Sequence, residues 1–139
     1  MERLGIKSLL VTGGSGKIGR NLLPELLKAG YRVRAIKHEE DIECKGVEIM
    51  EGNVRDPGLA KRALLDMDAV IHLANVKEDK QLFMETNIRG AFYLLDESKS
   101  CGHITQLMPA GSDARAGIFY YPRPYPIDET YPHSAYPGY

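Results

Sequence analysis

The 139-residue chain has little cysteine. Cys44 and Cys101 are its 2 thiols, far apart and without C-x-x-C spacing. That argues against a disulfide framework or a zinc site, and no metal is expected. An excess of charge is lacking too: the formal net charge is -1. No strong field points to nucleic acid or to an anionic membrane. Long apolar runs are missing, and none approaches the roughly 20 residues of a membrane span. Met1-Glu2-Arg3 leads almost directly into a strand-like run, without the apolar stretch and cleavage site of a signal peptide. The expected compartment is a reducing cytoplasm. There is no internal repeat.

What is present is an ordinary globular composition, 43% hydrophobic and 27% charged, enough for one domain with a sizeable core. Short apolar runs alternate with segments of helical spacing. Strands are expected at 6–11, 31–36, 47–50, 69–73 and 104–108. A first helix is expected over 18–29, with Ile18, Leu22, Leu23, Leu26 and Leu27 on one face. Gly30 closes it, and Pro24 inside it predicts a local kink. Asp56-Pro57 opens a second helix as N-cap and first-turn proline. Residues 79–99 read as one long helix that tolerates Gly90. Strands alternating with helices imply a parallel sheet of about five strands covered on both faces. The order expected for a nucleotide-binding Rossmann unit is 3-2-1-4-5. This domain is assigned to residues 1–110. Residues 111–139 form a second segment, rich in Pro and Tyr; six of the eight prolines fall at 109–139.

Val11-Thr12-Gly13-Gly14-Ser15-Gly16-Lys17-Ile18-Gly19 carries the most chemistry. Glycines at 13, 16 and 19 follow a strand and open an amphipathic helix. Gly13 suits the tight turn, Gly16 lets backbone approach a phosphate, and Gly19 lets helix and strand pack closely. Lys17 and Ile18 belong to the helix start, whose free N–H groups and partial positive charge suit a pyrophosphate. No G-K-[ST] follows, so a P-loop is excluded.

Taken with four later segments, this turn resembles the T-G-x-x-G-x-x-G of the extended short-chain dehydrogenase/reductase family, NAD(P)-dependent enzymes of sugars and sugar nucleotides. The resemblance covers nearly all of the chain. Gly52-Asn53-Val54-Arg55-Asp56 resembles the family's G-D-x-R-D. It implies that Asp56 holds the adenine, with Val54 beside it; Asn53 departs from the usual Asp. Val70-Ile71-His72-Leu73-Ala74-Asn75 is similar to V-x-H-L-A-A. There Leu73 and Ala74 would line the cofactor, and His72 reads as a packed core histidine. Asn87 in Thr86-Asn87-Ile88-Arg89-Gly90, similar to N-x-x-G-[TA], would brace the backbone near the active site and is counted with the cofactor-binding residues.

The catalytic end is implied by the resemblance alone. The segment 110–117 resembles A-S-S-x-x-V-Y-G, which puts Ser112 at the catalytic Ser/Thr; Gly111, Arg115 and Ala116 depart from the pattern. Pro126-Ile127-Asp128-Glu129 resembles the P-I-D-E before the family's Y-x-x-x-K. Family spacing then reaches Tyr139, with Tyr136 as the competing candidate. The lysine would fall beyond residue 139. A Tyr near its unperturbed pKa of about 10 is a poor base at neutral pH. The segment 117–123 is similar to uronate dehydrogenases, and Pro132-His133 with Gly138-Tyr139 to GDP-fucose synthases.

Cofactor choice rests on the end of the second strand. Lys37 and His38 there suit the 2′-phosphate of NADP, while Glu39 and Glu40 keep NAD open. Two functions are therefore expected. One is hydride transfer at a carbon of a sugar or sugar nucleotide. The other is a truncated dinucleotide-binding module without turnover. An open sheet edge at the fifth strand also predicts a homodimer.

Overall fold

The computed structural model describes residues 5–77, 79–112 and 126–131. The chain divides into two compact units, Met1–Pro109 and Ala110–Tyr139.

The first unit is a five-stranded parallel sheet with helices between the strands. Its strands are β1 Ser8–Thr12, β2 Arg32–Lys37, β3 Glu48–Glu51, β4 Ala69–His72 and β5 Gln106–Pro109. Their spatial order is β3-β2-β1-β4-β5, the expected order, with every pairing parallel. β1 is central because it is buried along its whole length. A strand covered on both faces needs an apolar run rather than an alternating one.

Two apolar layers sandwich the sheet. On one face Leu10, Ile36, Val70 and Leu94 pack with Leu59, Leu64 and Met67. On the other Leu9, Val11, Val33 and Ala35 pack with Leu23 and Leu26. The second layer belongs to α1, Lys17–Lys28, which continues through Pro24. Ile18, expected on its apolar face, is exposed at the helix start. In the first turn the helix has only begun to lie against the sheet.

α2, Pro57–Ala63, is capped by Asp56, whose carboxylate accepts from the Gly58 amide at 2.8 Å. The single long helix expected at 79–99 is in fact three pieces. α3 spans Lys80–Phe83, a π-helical stretch runs over Met84–Gly90, and α4 spans Ala91–Cys101. A π stretch holds extra residues within a continuous helix and shifts the face that follows it. α4 buries Leu94 and Ser98. Met84, Ile88, Phe92 and Leu95 are at least half exposed.

At the end of the sheet opposite the glycine turn, Asp68 ties three strands. Its Oδ2 accepts from the Lys7 amide at 2.8 Å, the Ser8 amide at 2.8 Å and the Ser8 hydroxyl at 2.9 Å. Its carbonyl accepts from the Thr105 amide at 2.8 Å.

Candidate functional site

The loops after β1, β2 and β4 all leave the same end of the sheet. That is the end where ligands of open α/β sheets bind. They enclose a cleft of about 370 Å³.

Gly13 shapes its base. The residue has φ +70°, and a Cβ there would lie 2.7 Å from the Ala74 nitrogen and 2.7 Å from the Leu73 carbonyl carbon. Only glycine lets the turn rest directly on the backbone after β4. A Cβ on Gly19 would lie 2.6 Å from Gly14 Cα, so this glycine lets α1 start tight against the turn. A Cβ on Gly16 would come no closer than 3.3 Å to the Gly13 carbonyl oxygen. Fold packing alone asks less of Gly16 than of the other two.

Gly16 is the N-cap of α1 and offers no side chain to the first-turn amides. No acidic residue stands in that turn. The positive end of the helix is thus left to an external anion. Gly13, Ser15 and Gly16 line the cleft, whereas Lys17, Ile18 and Gly19 are not part of its lining.

Of the other residues named from the sequence, Val54, Leu73 and Ala74 line the cleft. Val54 packs behind the wall as well, since a Cβ on Gly90 would lie 2.9 Å from its Cγ2. Asp56 is outside the lining. Its carboxylate caps α2 and pairs with Arg62 at 3.0 Å. The Gly58 amide first, and then Arg62, holds it below the usual carboxylate range. Lys37 is also outside the lining, its ammonium 2.8 Å from Asp41 and 3.4 Å from Glu51. The hydrogen bond it donates to Asp41 leads the contributions that raise it above the ordinary lysine value.

Asn87 acts as a clamp on the loop after β4. Its Oδ1 accepts from the Val76 amide at 2.8 Å, and its Nδ2 donates to the Val76 carbonyl at 2.9 Å. Nδ2 also reaches Asn75 Oδ1 at 2.5 Å. The clamp sits in the π-helical stretch. Ser112 belongs to the second unit and is exposed. Tyr136 and Tyr139 lie outside the described residues, as does the segment 113–125. Asp128, from the P-I-D-E segment, closes a local turn by accepting from the Thr130 amide at 2.9 Å.

Several lining residues were given no site role in the sequence: Thr12, Ser15, Asn53, Arg55 and Thr86; His38, expected to suit a 2′-phosphate, lines the cleft as well. Asn53 offered a signal, because it stands where the family has Asp. The structure gives it two roles. Its Oδ1 accepts from the Arg55 amide at 3.0 Å, and its Nδ2 lies 2.9 Å from His38 Nε2. Arg55 reaches on to Glu85 at 3.3 Å and fastens this loop to the π-helical stretch. Thr12 is fully buried, its hydroxyl oxygen 2.7 Å from His72 Nδ1. Burial pushes the His72 imidazole below its ordinary value.

The arrangement fits a dinucleotide. It offers a glycine turn that backbone can approach, an uncapped helix start without carboxylates, and a cleft running past the ends of β2 and β4.

The family model described as the NAD dependent epimerase/dehydratase family matches residues 9–137. UDP-glucose 4-epimerase 2 of Oryza sativa subsp. japonica is 26% identical over 150 residues, covering 92% of this chain and 36% of the relative. Among solved structures, a mutated uronate dehydrogenase is 27% identical with a TM-score of 0.78, covering 94% of this chain and 47% of its own. The UDP-glucose 4-epimerase of Thermus thermophilus, solved in complex with NAD, is 26% identical with a TM-score of 0.77, covering 92% and 44%. The chain spans about a third of the length of the curated relatives it matches.

Proposed function

The chain belongs to the NAD-dependent epimerase/dehydratase family, and from that premise we propose that it forms the cofactor-binding part of an enzyme acting by hydride transfer on a sugar or sugar nucleotide. The observation that carries this is the Gly13 turn seated on the Leu73–Ala74 backbone, beside a helix start with no acidic neighbour. The Gly13–Gly16 backbone and the first-turn amides of α1 hold the pyrophosphate. Leu73, Ala74 and Val54 line the cleft, and Asn87 keeps the wall in place through Val76. When bound, the nicotinamide accepts or donates the hydride. Ser112 is assigned to the reacting oxygen and Tyr139, with Tyr136 as the competitor, to the proton. Asp56 is assigned to the adenine end in addition to its cap.

The cofactor in this reading is NAD. Lys37, the basis for expecting NADP, is engaged by two carboxylates. Glu39 and Glu40 line the cleft and would repel a 2′-phosphate. The reading also includes a homodimer, in which a second copy covers the exposed Met84, Ile88, Phe92 and Leu95.

Calorimetric titration with NAD and NADP, followed by a hydride-transfer assay over a panel of sugars and nucleotide sugars, tests it. Binding of NAD over NADP with turnover is the expected result. Binding without turnover leaves a cofactor module. No dinucleotide binding overturns both.

A further inference from the structure

His72 and Thr12 stand opposite one another on β4 and β1. Both are buried, at 6% and 0% exposure. Their hydrogen bonds have one consistent assignment. Thr12 Oγ1 accepts from the Leu73 amide at 3.2 Å and from the Ala74 amide at 3.2 Å. Leu73 shares its N–H with the Thr12 carbonyl, at 3.1 Å. A hydroxyl has one proton and two lone pairs. With both lone pairs facing amides, the proton goes to the remaining neighbour, His72 Nδ1, 2.7 Å away.

This assignment leaves His72 Nδ1 bare, in a neutral ring whose proton is on Nε2. Were Nδ1 to carry a proton, it would compete with the two amides for the same oxygen, and the Thr12 proton would lack an acceptor in a buried place. Such a loss is costly. The ring also lines a groove whose other lining residues are Asn87 and apolar side chains, among them Ile88, Phe92 and Leu107, none of which ionises. Among the described residues of that groove, none carries a charge that favours the charged ring.

The same amides matter to the cofactor cleft. Leu73 and Ala74 line it, and Gly13 rests on their backbone. Thr12 Oγ1 is the group that holds that backbone, and His72 sets the direction in which its lone pairs point. His72 itself is not in the cleft lining.

We propose that His72 is a positioning residue of the cofactor cleft, which acts through the Thr12 hydroxyl to hold the Leu73–Ala74 backbone against the Gly13 turn. The proposal rests on the cleft being a dinucleotide site. It makes the histidine a functional acceptor rather than core filling. A merely space-filling role would accept any side chain of similar volume.

The test uses the full chain and NAD as the probe. Nitrogen-15 spectra of the imidazole rings at neutral pH read the tautomer, with His72→Asn used to assign the signal. Titration with NAD then compares wild type, His72→Asn, His72→Leu, Thr12→Ser and Thr12→Val. Asn carries an acceptor oxygen at the Nδ1 position, and Leu fills space without one. The expected result is an Nε2–H ring in the wild type. His72→Leu and Thr12→Val should each weaken NAD by about tenfold, the effect of one buried hydrogen bond. His72→Asn and Thr12→Ser should stay within about threefold of wild type.

An Nδ1–H ring overturns the proposal, as does His72→Leu binding NAD like wild type. If His72→Leu does not fold, the comparison of Thr12→Val with Thr12→Ser decides, and equal affinities overturn it. A wild type that binds no dinucleotide fails at the earlier step and brings down the functional reading. A wild type that binds while the variants match it brings down this inference alone.

Discussion

Gly13 and Gly16 are equivalent in the motif and different in the structure. An alanine at 13 would place a methyl group within 2.7 Å of backbone, at φ +70°. Gly13→Ala should therefore destabilise the fold by about 1–3 kcal/mol, the usual cost of a non-glycine residue held in that region. It should also weaken NAD. Gly16→Ala meets only the Gly13 carbonyl oxygen, at 3.3 Å. It should leave urea unfolding within about 0.5 kcal/mol of wild type, typical of a site without a steric conflict. NAD should nonetheless bind at least about tenfold more weakly, because the added methyl occupies the approach to the phosphates. Equal losses of stability in the two variants would remove the distinction. His38 and Asn53 show what the sequence could not supply at this scale. Their 2.9 Å contact joins residues 15 apart on two loops. Loop partners are set by the tertiary path, and side-chain type alone does not reveal them.

Among the elements, the strands were the most legible, because buried parallel strands are short apolar runs between turn residues. The expected boundaries fall within about two residues of the observed ones, a normal scatter for strand and helix ends. The helix at 79–99 was less legible. Its apolar spacing fits a helix, but the added residue of a π turn leaves no residue type as a marker. Asn87 and Gly90 were visible as exceptions in an apolar helix. Only the structure shows that Asn87 clamps Val76 and that Gly90 makes room for Val54.

Asp68 is the joint between elements, and it carries a pH dependence. The Lys7 amide first, then the Ser8 hydroxyl, holds its carboxyl below the ordinary aspartate value of 3.8. A carboxyl with a lowered folded-state pKa contributes stability that is present in full above the unfolded value. That contribution is lost as pH falls from about 3.8 through the lower folded value. Asp68→Ala should cost about 1–3 kcal/mol at pH 7 by leaving the Ser8 amide without its acceptor. Its stability should fall less steeply than wild type below pH 4. Urea midpoints measured from pH 3 to pH 7 check both expectations. A variant with the wild-type slope would show that Asp68 titrates normally.

At the scale of the whole molecule, the exposed apolar side chains of the π stretch and α4 are the feature most at odds with a lone chain. Surface hydrophobics scattered singly are ordinary, but a contiguous set marks an interaction surface. Ile88, Phe92 and Leu95 line one groove, and Met84 stands exposed near them. Sedimentation should show a concentration-dependent dimer that Met84→Glu weakens while NAD binding persists. A monomer across the whole concentration range would remove the dimer from the functional reading.

The place of β1 has a consequence in time. It is the first of the five strands in chain order and the middle one of the sheet. Ser8 meets Asp68 across 60 residues of chain. On a ribosome adding about 5–20 residues per second, β1 waits on the order of 3–12 s for β4 to exist. During that interval β2 is the one strand neighbour it can have. Birth order and spatial order therefore pull against each other, and the strand that anchors the glycine turn is among the last to gain both of its neighbours.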